Sequence, residues 1–215
     1  MSLKDELSHY LEKFLGKVPE QGLEIYHDAT AKLIASGIAE NCLKVGDKIP
    51  QFSLPNVDGK LISSDELLAR GPLIINFYRG GWCGYCNLEL QALQRSLITI
   101  KETGATLVAI SPNLPNASRE TVEKHALEFD VLNDLGNKVS TQYGVAFTLD
   151  KRLQPLYKQY GINLETDNGD NSQVLPLPAT FVANRQGEVV FSFVDADYTK
   201  RVEPSEVIAA INAQN

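Results

Sequence analysis

Two of the three cysteines in this 215-residue sequence stand three positions apart, as Cys83-Gly-Tyr-Cys86. A Cys-x-x-Cys segment is short enough to close a disulfide, so one thiol can act as a nucleophile while the other resolves the product. The preceding residues, Arg79-Gly-Gly-Trp82, supply a cation and a loop loosened by glycine. The pair therefore predicts thiol–disulfide redox chemistry.

The two cysteines also stand where a helix is expected to begin. An apolar run over 72–78 predicts a buried strand, and leucines at helical spacing predict a long helix over about 87–103. Unpaired N–H groups and the dipole at a helix N-terminus favour a thiolate, and Arg79 would add positive charge. Trp82 and Tyr85 flank the thiols, where they would either shape substrate access or simply pack.

Neither a zinc site nor inert packing accounts well for the cysteine pair. A structural zinc site needs a second Cys or His pair, and neither Cys42 nor the three histidines have that spacing. Two inert buried cysteines would not need a glycine-rich loop and a helix start. We therefore expect no metal and no organic cofactor. Cys42 is expected to be a buried packing residue, and a conditional disulfide between it and the active site stays open.

The composition of the chain indicates which classes of partner it is unsuited to bind and in which cellular compartment it is expected. The chain has 20 Lys and Arg against 27 Asp and Glu, a net charge of −7, which is unfavourable for binding nucleic acid or an anionic membrane. The first residues are charged rather than apolar, and the apolar runs are far shorter than a bilayer span. We expect a cytoplasmic protein, whose thiols are kept reduced.

The elements that would position the cysteines follow an α/β pattern. From Val45 onward, short strands alternate with helices, which predicts a sandwich with a central mixed sheet flanked by helices. Segments 180–183 and 188–193 predict a late hairpin, and 203–212 predicts a closing helix. We therefore assign residues 45–215 to one α/β domain.

Residues 1–44 predict a helical arm ahead of that domain. Leucines at fourfold spacing from Leu3 to Leu15 indicate one amphipathic helix, and a second is expected over about 23–39. Such faces must pack on something, either the body of the protein or a partner subunit. A homo-oligomer formed through these helices is therefore one expectation.

Several local details are also expected. Ser63-Ser-Asp-Glu66 has the spacing of a capping box that opens a short helix. A later helix should be capped near Ser118, and residues 149–160 have helical character. The polar composition of residues 163–171 predicts a loop.

Four blocks of the sequence resemble one protein family, in the order in which that family has them. They are VGDKIPQFSLPNVDGK, INFYRGGWCGYCNLEL, FDVLNDLGNKVSTQYGV and LPATFVANRQGEVV. They are similar to segments of the peroxiredoxin branch of the thioredoxin superfamily, of the alkyl hydroperoxide reductase/thiol-specific antioxidant type. The resemblance covers Val45–Ile211, about four-fifths of the chain, and implies a thioredoxin-like fold.

The resemblance also assigns roles to individual residues. The family's peroxidatic cysteine precedes a glutamate by three positions, which places it on Cys86 with Glu89. This sequence departs from the family pattern by having Arg79 instead of a proline and Cys83 instead of a threonine. The family's peroxide-binding arginine falls on Pro178, so Arg79 is the candidate for the missing cation.

A second likeness points to a different nucleophile. Trp82-Cys83-Gly-Tyr-Cys86 resembles the thioredoxin Trp-Cys-x-x-Cys motif, in which the first cysteine attacks, and Pro178 resembles the cis-proline that faces the pair in that fold. The resemblances therefore leave the order of attack open. We favour Cys86 as the residue that meets peroxide and Cys83 as its resolving partner.

The function implied is that of a thiol peroxidase. A hydroperoxide would oxidise one thiol to a sulfenic acid, the other would condense with it, and a thioredoxin-like dithiol would reduce the resulting disulfide. Two alternatives remain. One is a thiol–disulfide oxidoreductase that acts on proteins and turns over little peroxide, and the other is a redox sensor without catalytic turnover.

Overall fold

The computed structural model describes residues 1–213, which form ten α-helices, one short 3₁₀ helix and nine β-strands. The helices are α1 (Leu3–Leu15), α2 (Glu20–Ala35), α3 (Ser64–Arg70), α4 (Gly84–Arg95), α5 (Leu97–Glu102), α6 (Pro115–His125), α7 (Lys138–Gln142), α8 (Leu153–Gln159), α9 (Leu164–Asn168) and α10 (Pro204–Asn212). The strands are β1 (Ser53–Pro55), β2 (Leu61–Ser63), β3 (Leu73–Phe77), β4 (Thr106–Ser111), β5 (Asp130–Asn133), β6 (Ala146–Thr148), β7 (Val174–Pro176), β8 (Ala179–Ala183) and β9 (Val189–Val194). Residues 214 and 215 of the expected domain lie outside the described residues.

The central sheet has five strands in the order β5-β4-β3-β8-β9. Strands β3, β4 and β5 are parallel, whereas β8 pairs antiparallel with both β3 and β9. Every residue of β3 and β8 is buried, as expected for strands covered on both faces. The sheet is therefore mixed, as the alternating pattern predicted, and the late hairpin is β8–β9. Strand β3 lies at its centre and leads directly into the loop that holds the cysteines.

The helices expected in the N-terminal arm are present and pack against the rest of the chain. Helix α1 lies on α4, with Leu3 and Leu7 buried, and α2 lies beside α8. Helix α2 ends at Ala35, earlier than expected, because Gly37 has a left-handed backbone with φ of +69°. A 3₁₀ helix, Ile38–Asn41, follows it. Among residues 1–213, no helix combines the length and the apolar composition needed to cross a lipid bilayer.

Two expectations near the cysteines were wrong in detail. The capping box at 63–66 does not form, because the Ser63 side chain makes no capping hydrogen bond and the Ser64 hydroxyl instead accepts from the Phe52 N–H at 3.0 Å. The helix expected over 87–103 begins earlier, at Gly84, and divides at Ser96 into α4 and α5. The cysteines therefore lie at the start of α4, as expected, with Cys83 as the N-cap residue and Cys86 in the first turn.

Two later expectations also need correction. Helix α6 begins with Pro115 in its first turn, and Ser118 lies inside the helix, where its hydroxyl accepts a hydrogen bond from the Asn133 amide at 2.6 Å. The segment expected to be a loop at 163–171 contains the helix α9. The Asn163 side chain caps that helix by accepting from the Thr166 N–H, a local interaction that overrides the polar composition.

Candidate active site

The cysteine pair stands at the N-terminus of α4, directly after the central strand. Cys83 is the N-cap residue, and its sulfur accepts a hydrogen bond from the Cys86 N–H at 3.4 Å. The loop needs its glycines, because Gly80 has φ of +147° and a Cβ there would lie 2.5 Å from the Trp82 indole nitrogen. A thiolate on Cys83 would therefore face the unpaired N–H groups of the first helical turn.

The two thiols are in contact and shielded from solvent. Both cysteines are free, and their sulfur atoms lie 2.7 Å apart. Cys83 is 4% exposed and Cys86 is fully buried. A disulfide bond is about 2.05 Å long, so the pair needs only a small movement to close it. This confirms that the Cys-x-x-Cys spacing brings the two sulfur atoms together.

Arg201 lies against Cys86, although no sequence pattern predicted it there. Its Nη2 is 3.1 Å from the Cys86 sulfur, and its Nε donates to Glu89 at 2.5 Å. Its Nη1 also donates to the backbone carbonyls of Tyr198 and Lys200 at 2.6 Å each, which holds the buried guanidinium in one orientation. Arg201 follows β9 and is 115 positions from Cys86. Nothing in its local sequence marks it as part of the site, so only the fold reveals it.

Arg79 is also buried beside the pair, but its neighbours are aromatic rings. Its guanidinium carbon lies 4.7 Å from the ring centre of Tyr198, 5.0 Å from Trp82 and 5.8 Å from Tyr157. It also donates a hydrogen bond to the Tyr157 hydroxyl. Cation–π contacts of this kind partly replace lost hydration. In the part of the chain that the structure describes, no carboxylate lies within salt-bridge distance of Arg79.

The electrostatic surroundings shift the pKa values of the two thiols in opposite directions. Burial raises the pKa of Cys83, but the hydrogen bond from Cys86 and the charges of Arg79 and Arg201 outweigh it and lower that pKa to about 6. Burial and the neighbouring Cys83 sulfur raise the pKa of Cys86 well above its ordinary value. The two thiols interact closely and titrate as a pair, and these surroundings favour a thiolate on Cys83 over one on Cys86.

Glu89 completes the polar part of the site. It is 2% exposed, and its only neighbouring cation among the described ion pairs is Arg201. Burial raises the pKa of Glu89 to about 7, with the Arg201 charge acting in the opposite direction. A carboxyl group with this pKa can gain or lose a proton at neutral pH, one helical turn away from Cys86.

The side chains of Trp82 and Tyr85 pack against neighbouring aromatic rings and also limit access to the Cys83 thiol. Tyr85 is buried, with its ring 4.8 Å from the ring of Tyr10 in the arm. A shallow depression of about 70 Å³ leads to Cys83 between these aromatic side chains, and Cys86 does not line it. A Cβ on Gly84 would overlap the Tyr10 hydroxyl, so α1 lies directly over the start of α4. Only a small molecule can enter this depression while the arm is in place.

The expectation of a cis-proline at position 178 was wrong. No peptide bond among residues 1–213 is cis, so the Leu177–Pro178 bond is trans. Pro178 lies in the two-residue connection between β7, which ends at Pro176, and β8, which begins at Ala179. Pro178 is buried and lines a cavity that also includes Arg79.

Cys42 lies away from the pair, in a different hydrophobic cluster. It is 3% exposed, and its thiol donates hydrogen bonds to the carbonyls of Gly144 at 3.2 Å and Ile38 at 3.4 Å. Burial raises the pKa of Cys42 to about 11. It is a buried packing residue, as expected.

Comparisons with known proteins agree on the family. The model of the AhpC/TSA family matches residues 45–192. The chloroplastic peroxiredoxin Q of Populus jackii is 30% identical over 128 residues, which are 58% of this chain and 60% of that protein. The chain thus aligns with about three fifths of this relative's length. The thiol-disulfide oxidoreductase ResA of Bacillus anthracis is 24% identical over 162 residues, covering 75% of this chain and 76% of that protein.

A solved structure shows the same fold. The peroxidoxin BcpB of Mycobacterium tuberculosis superposes with a TM-score of 0.64 at 20% identity, over 80% of this chain and 99% of that chain. The central mixed sheet and the flanking helices are common to both. The predicted thioredoxin-like fold is therefore confirmed.

Proposed function

The chain belongs to the AhpC/TSA family, and from this premise we propose that it is a thiol peroxidase that reduces hydrogen peroxide or organic hydroperoxides. Its Cys83–Cys86 pair would alternate between two thiols and one disulfide. The contact between the two sulfur atoms, 2.7 Å apart at the start of α4 and next to two buried guanidinium groups, carries this proposal.

The first step is attack by a thiolate on the peroxide. Its sulfur bonds to one peroxide oxygen, the O–O bond breaks, and the departing oxygen takes a proton and leaves as water or an alcohol. We assign this step to Cys83, reversing the order that the family spacing suggested. Its lowered pKa, its N-cap position and its place beside the depression support this assignment.

The second step forms the disulfide. The Cys86 sulfur attacks the Cys83 sulfenic acid, the S–O bond breaks, and water leaves with the proton of the Cys86 thiol. Cys86 is suited to this role because its raised pKa keeps it protonated until the sulfenic acid forms. Glu89 and Arg201 lie beside it, so the Glu89 carboxylate can take the proton from the Cys86 thiol and pass it to the departing hydroxide, while the Arg201 charge stabilises the developing thiolate.

The cycle closes when an external dithiol reduces the disulfide, and we propose a thioredoxin-like protein as that donor. Because Tyr10 covers the start of α4, the arm must move before a protein thiol can reach Cys83. Reduction is therefore the slow half of the cycle in this proposal. Cytoplasmic location and association through the arm helices remain proposals beside it.

A thiol count after one turnover tests the proposal. Reduced protein mixed with one equivalent of hydrogen peroxide should lose two thiols, and peptide mass analysis should find them joined as Cys83–Cys86. Cys83→Ser should consume no peroxide beyond background, and Cys86→Ser should accumulate a Cys83 sulfenic acid that a dimedone probe traps. Cys42→Ser is the matched control and should behave as the wild type. Sulfenic acid on Cys86 in Cys83→Ser would reverse the assigned roles, and no peroxide consumption by the wild type would exclude the peroxidase.

A thiol–disulfide oxidoreductase is the second candidate. The Trp-Cys-x-x-Cys motif and the 75% coverage in the comparison with ResA favour it. Insulin reduction separates the two functions, since an oxidoreductase should reduce insulin disulfides faster than it consumes peroxide. Because the N-terminal arm covers the start of α4, we expect this chain to consume peroxide faster than it reduces insulin disulfides.

A further inference from the structure

A cavity of about 270 Å³ lies between α2, α8 and the β7–β8 connection. Its inner surface is mainly apolar and includes Ala29 and Leu33 from α2, Leu153 from α8 and the buried Leu177 and Pro178. The volume equals about nine times the ~30 Å³ share of a water molecule in the liquid, which suits a ligand of about eight to ten non-hydrogen atoms. The cavity therefore has the size and lining of a small-molecule site.

The inner end of this cavity carries a buried cation. Arg79 lines it together with Tyr157 and Tyr198, and the same three residues line the depression at Cys83. The Arg79 Nε has no hydrogen-bond partner, and within residues 1–213 no carboxylate lies within salt-bridge distance of the guanidinium. A buried N–H donor without a hydrogen-bond partner is costly, and a hydrogen bond from a guanidinium is strongest to an anionic acceptor, so this end of the cavity favours an anion.

The other charged groups of the cavity lie towards solvent or are already paired. Lys32 has a side chain that is 63% exposed and forms an ion pair with Asp28 at 3.0 Å. Asp150 accepts from Arg152 at 2.5 Å, so its negative charge is compensated. Neither group opposes an anion at Arg79.

We propose that this cavity binds a small amphipathic carboxylate, with its apolar chain between α2 and α8 and its carboxylate paired with Arg79. The binding does not depend on the proposed peroxidase activity. It does adjoin it, because Arg79 separates the cavity from Cys83. A bound carboxylate would neutralise part of the positive charge that stabilises the Cys83 thiolate, so ligand occupancy and thiol ionisation would be coupled.

Calorimetric titration of the full chain tests the proposal with three ligands of equal length. Hexanoate should bind saturably at millimolar concentration, about tenfold more tightly than 1-hexanol, and hexylamine should bind least. Hexanoate should also raise the pKa of Cys83, followed by the ultraviolet absorbance of its thiolate. Equal affinity for hexanoate and hexanol, no saturable binding of hexanoate, or an unchanged Cys83 pKa at saturation overturns the proposal.

Two variants and a control locate the site. Ala29→Leu fills the cavity without touching Arg79 and should abolish binding of both hexanoate and hexanol. Ala35→Leu adds the same volume at an exposed position of the same helix and should bind both ligands as the wild type does. Arg79→Met should lose about tenfold in hexanoate affinity while keeping that for hexanol. Hexanoate binding that survives Ala29→Leu excludes this cavity, and that result decides the question even if Arg79→Met fails to fold.

Discussion

Cys42 and the Cys83–Cys86 pair are similarly buried, yet the two regions give thiols of opposite character. The hydrogen-bond partners of Cys42 are backbone carbonyls at the junction of the arm and the sheet, and its pKa rises to about 11. Cys83 begins a helix near two buried arginines, and its pKa falls to about 6. Burial alone therefore does not decide whether a thiol in this protein is reactive.

The comparison shows what the fold supplies at the active site. Burial opposes ionisation in both regions. The charge of Lys44 is too weak to overcome it at Cys42, whereas two arginines and the helical N–H groups overcome it at Cys83. The two arginines also differ from each other. Glu89 neutralises Arg201 beside Cys86, whereas no described carboxylate neutralises Arg79. The excess positive charge is consistent with ionisation of one thiol of the pair.

The largest expected effect is a difference in alkylation rate between the two regions. Near pH 7 the thiolate fraction of Cys83 should exceed that of Cys42 by about four orders of magnitude, given the two pKa values. Modification of Cys83 by iodoacetamide should increase as pH rises through about 6 and then level off, because its thiol is by then ionised. Peptide mass analysis over a pH series measures both rates. A Cys83 rate that still rises steeply at pH 8 would contradict the proposed charge state.

A second prediction concerns the buried ion pair that only the active-site region has. Arg201→Met leaves the Glu89 carboxyl buried without its partner, and we expect the free energy of unfolding to fall by about 3–5 kcal/mol. Adding Glu89→Gln should recover most of that loss, since the unpaired charge is then removed. Urea denaturation measures both. A loss that the double variant does not reduce would mean that Arg201 acts through packing rather than charge.

A smaller effect is expected from the other arginine. Arg79→Met removes a positive charge near Cys83 without leaving a carboxylate unpaired, so the pKa of Cys83 should rise by about one unit, a change of about 1.4 kcal/mol. At pH 6, alkylation of Cys83 should slow several-fold, while at pH 9 the rates of variant and wild type should converge. Arg185→Met, which alters an exposed arginine far along the chain, is the control and should leave the profile unchanged. If the pH profile of Cys83 alkylation is unchanged in Arg79→Met, then Arg201 and the helix N-terminus alone stabilise the Cys83 thiolate.

The smallest effect is expected at Cys42. Replacing it with Ala removes a buried sulfur that carries no charge, and we expect a loss of about 1 kcal/mol of stability. Peroxide consumption should stay within about twofold of the wild type, since Cys42 lies in another cluster. A stopped-flow peroxide assay checks this. A larger loss of activity would mean that the two regions are coupled.

Much of the site could be predicted because its signals are local. Cys83, Cys86 and Glu89 lie within one strand–loop–helix segment, so their spacing places them on adjacent turns. Arg79 was also identified from its proximity in sequence. Arg201 was not, because it reaches Cys86 from the segment after β9, and such a contact depends on how the sheet and α4 pack.

The details that failed depended on competition between local and tertiary interactions. The Ser63 capping box has the right residues, but Ser64 is engaged by Phe52 instead. The proline at 178 matches the position of a cis-proline, yet its peptide bond, in the connection between β7 and β8, is trans. In each case a short pattern permitted a geometry, and long-range packing selected another.

The sequence by itself determined the close placement of the two cysteines and the fold class, since the Cys-x-x-Cys spacing and the alternation of apolar segments are encoded over short distances. The tertiary structure decided which of the two thiols has the surroundings that favour a thiolate. That outcome depends on burial, on Arg201 approaching from 115 positions away and on Arg79 having aromatic rings rather than a carboxylate around it. Electrostatic energies depend on distances in space and on exclusion of water, and neither is written in the order of the residues.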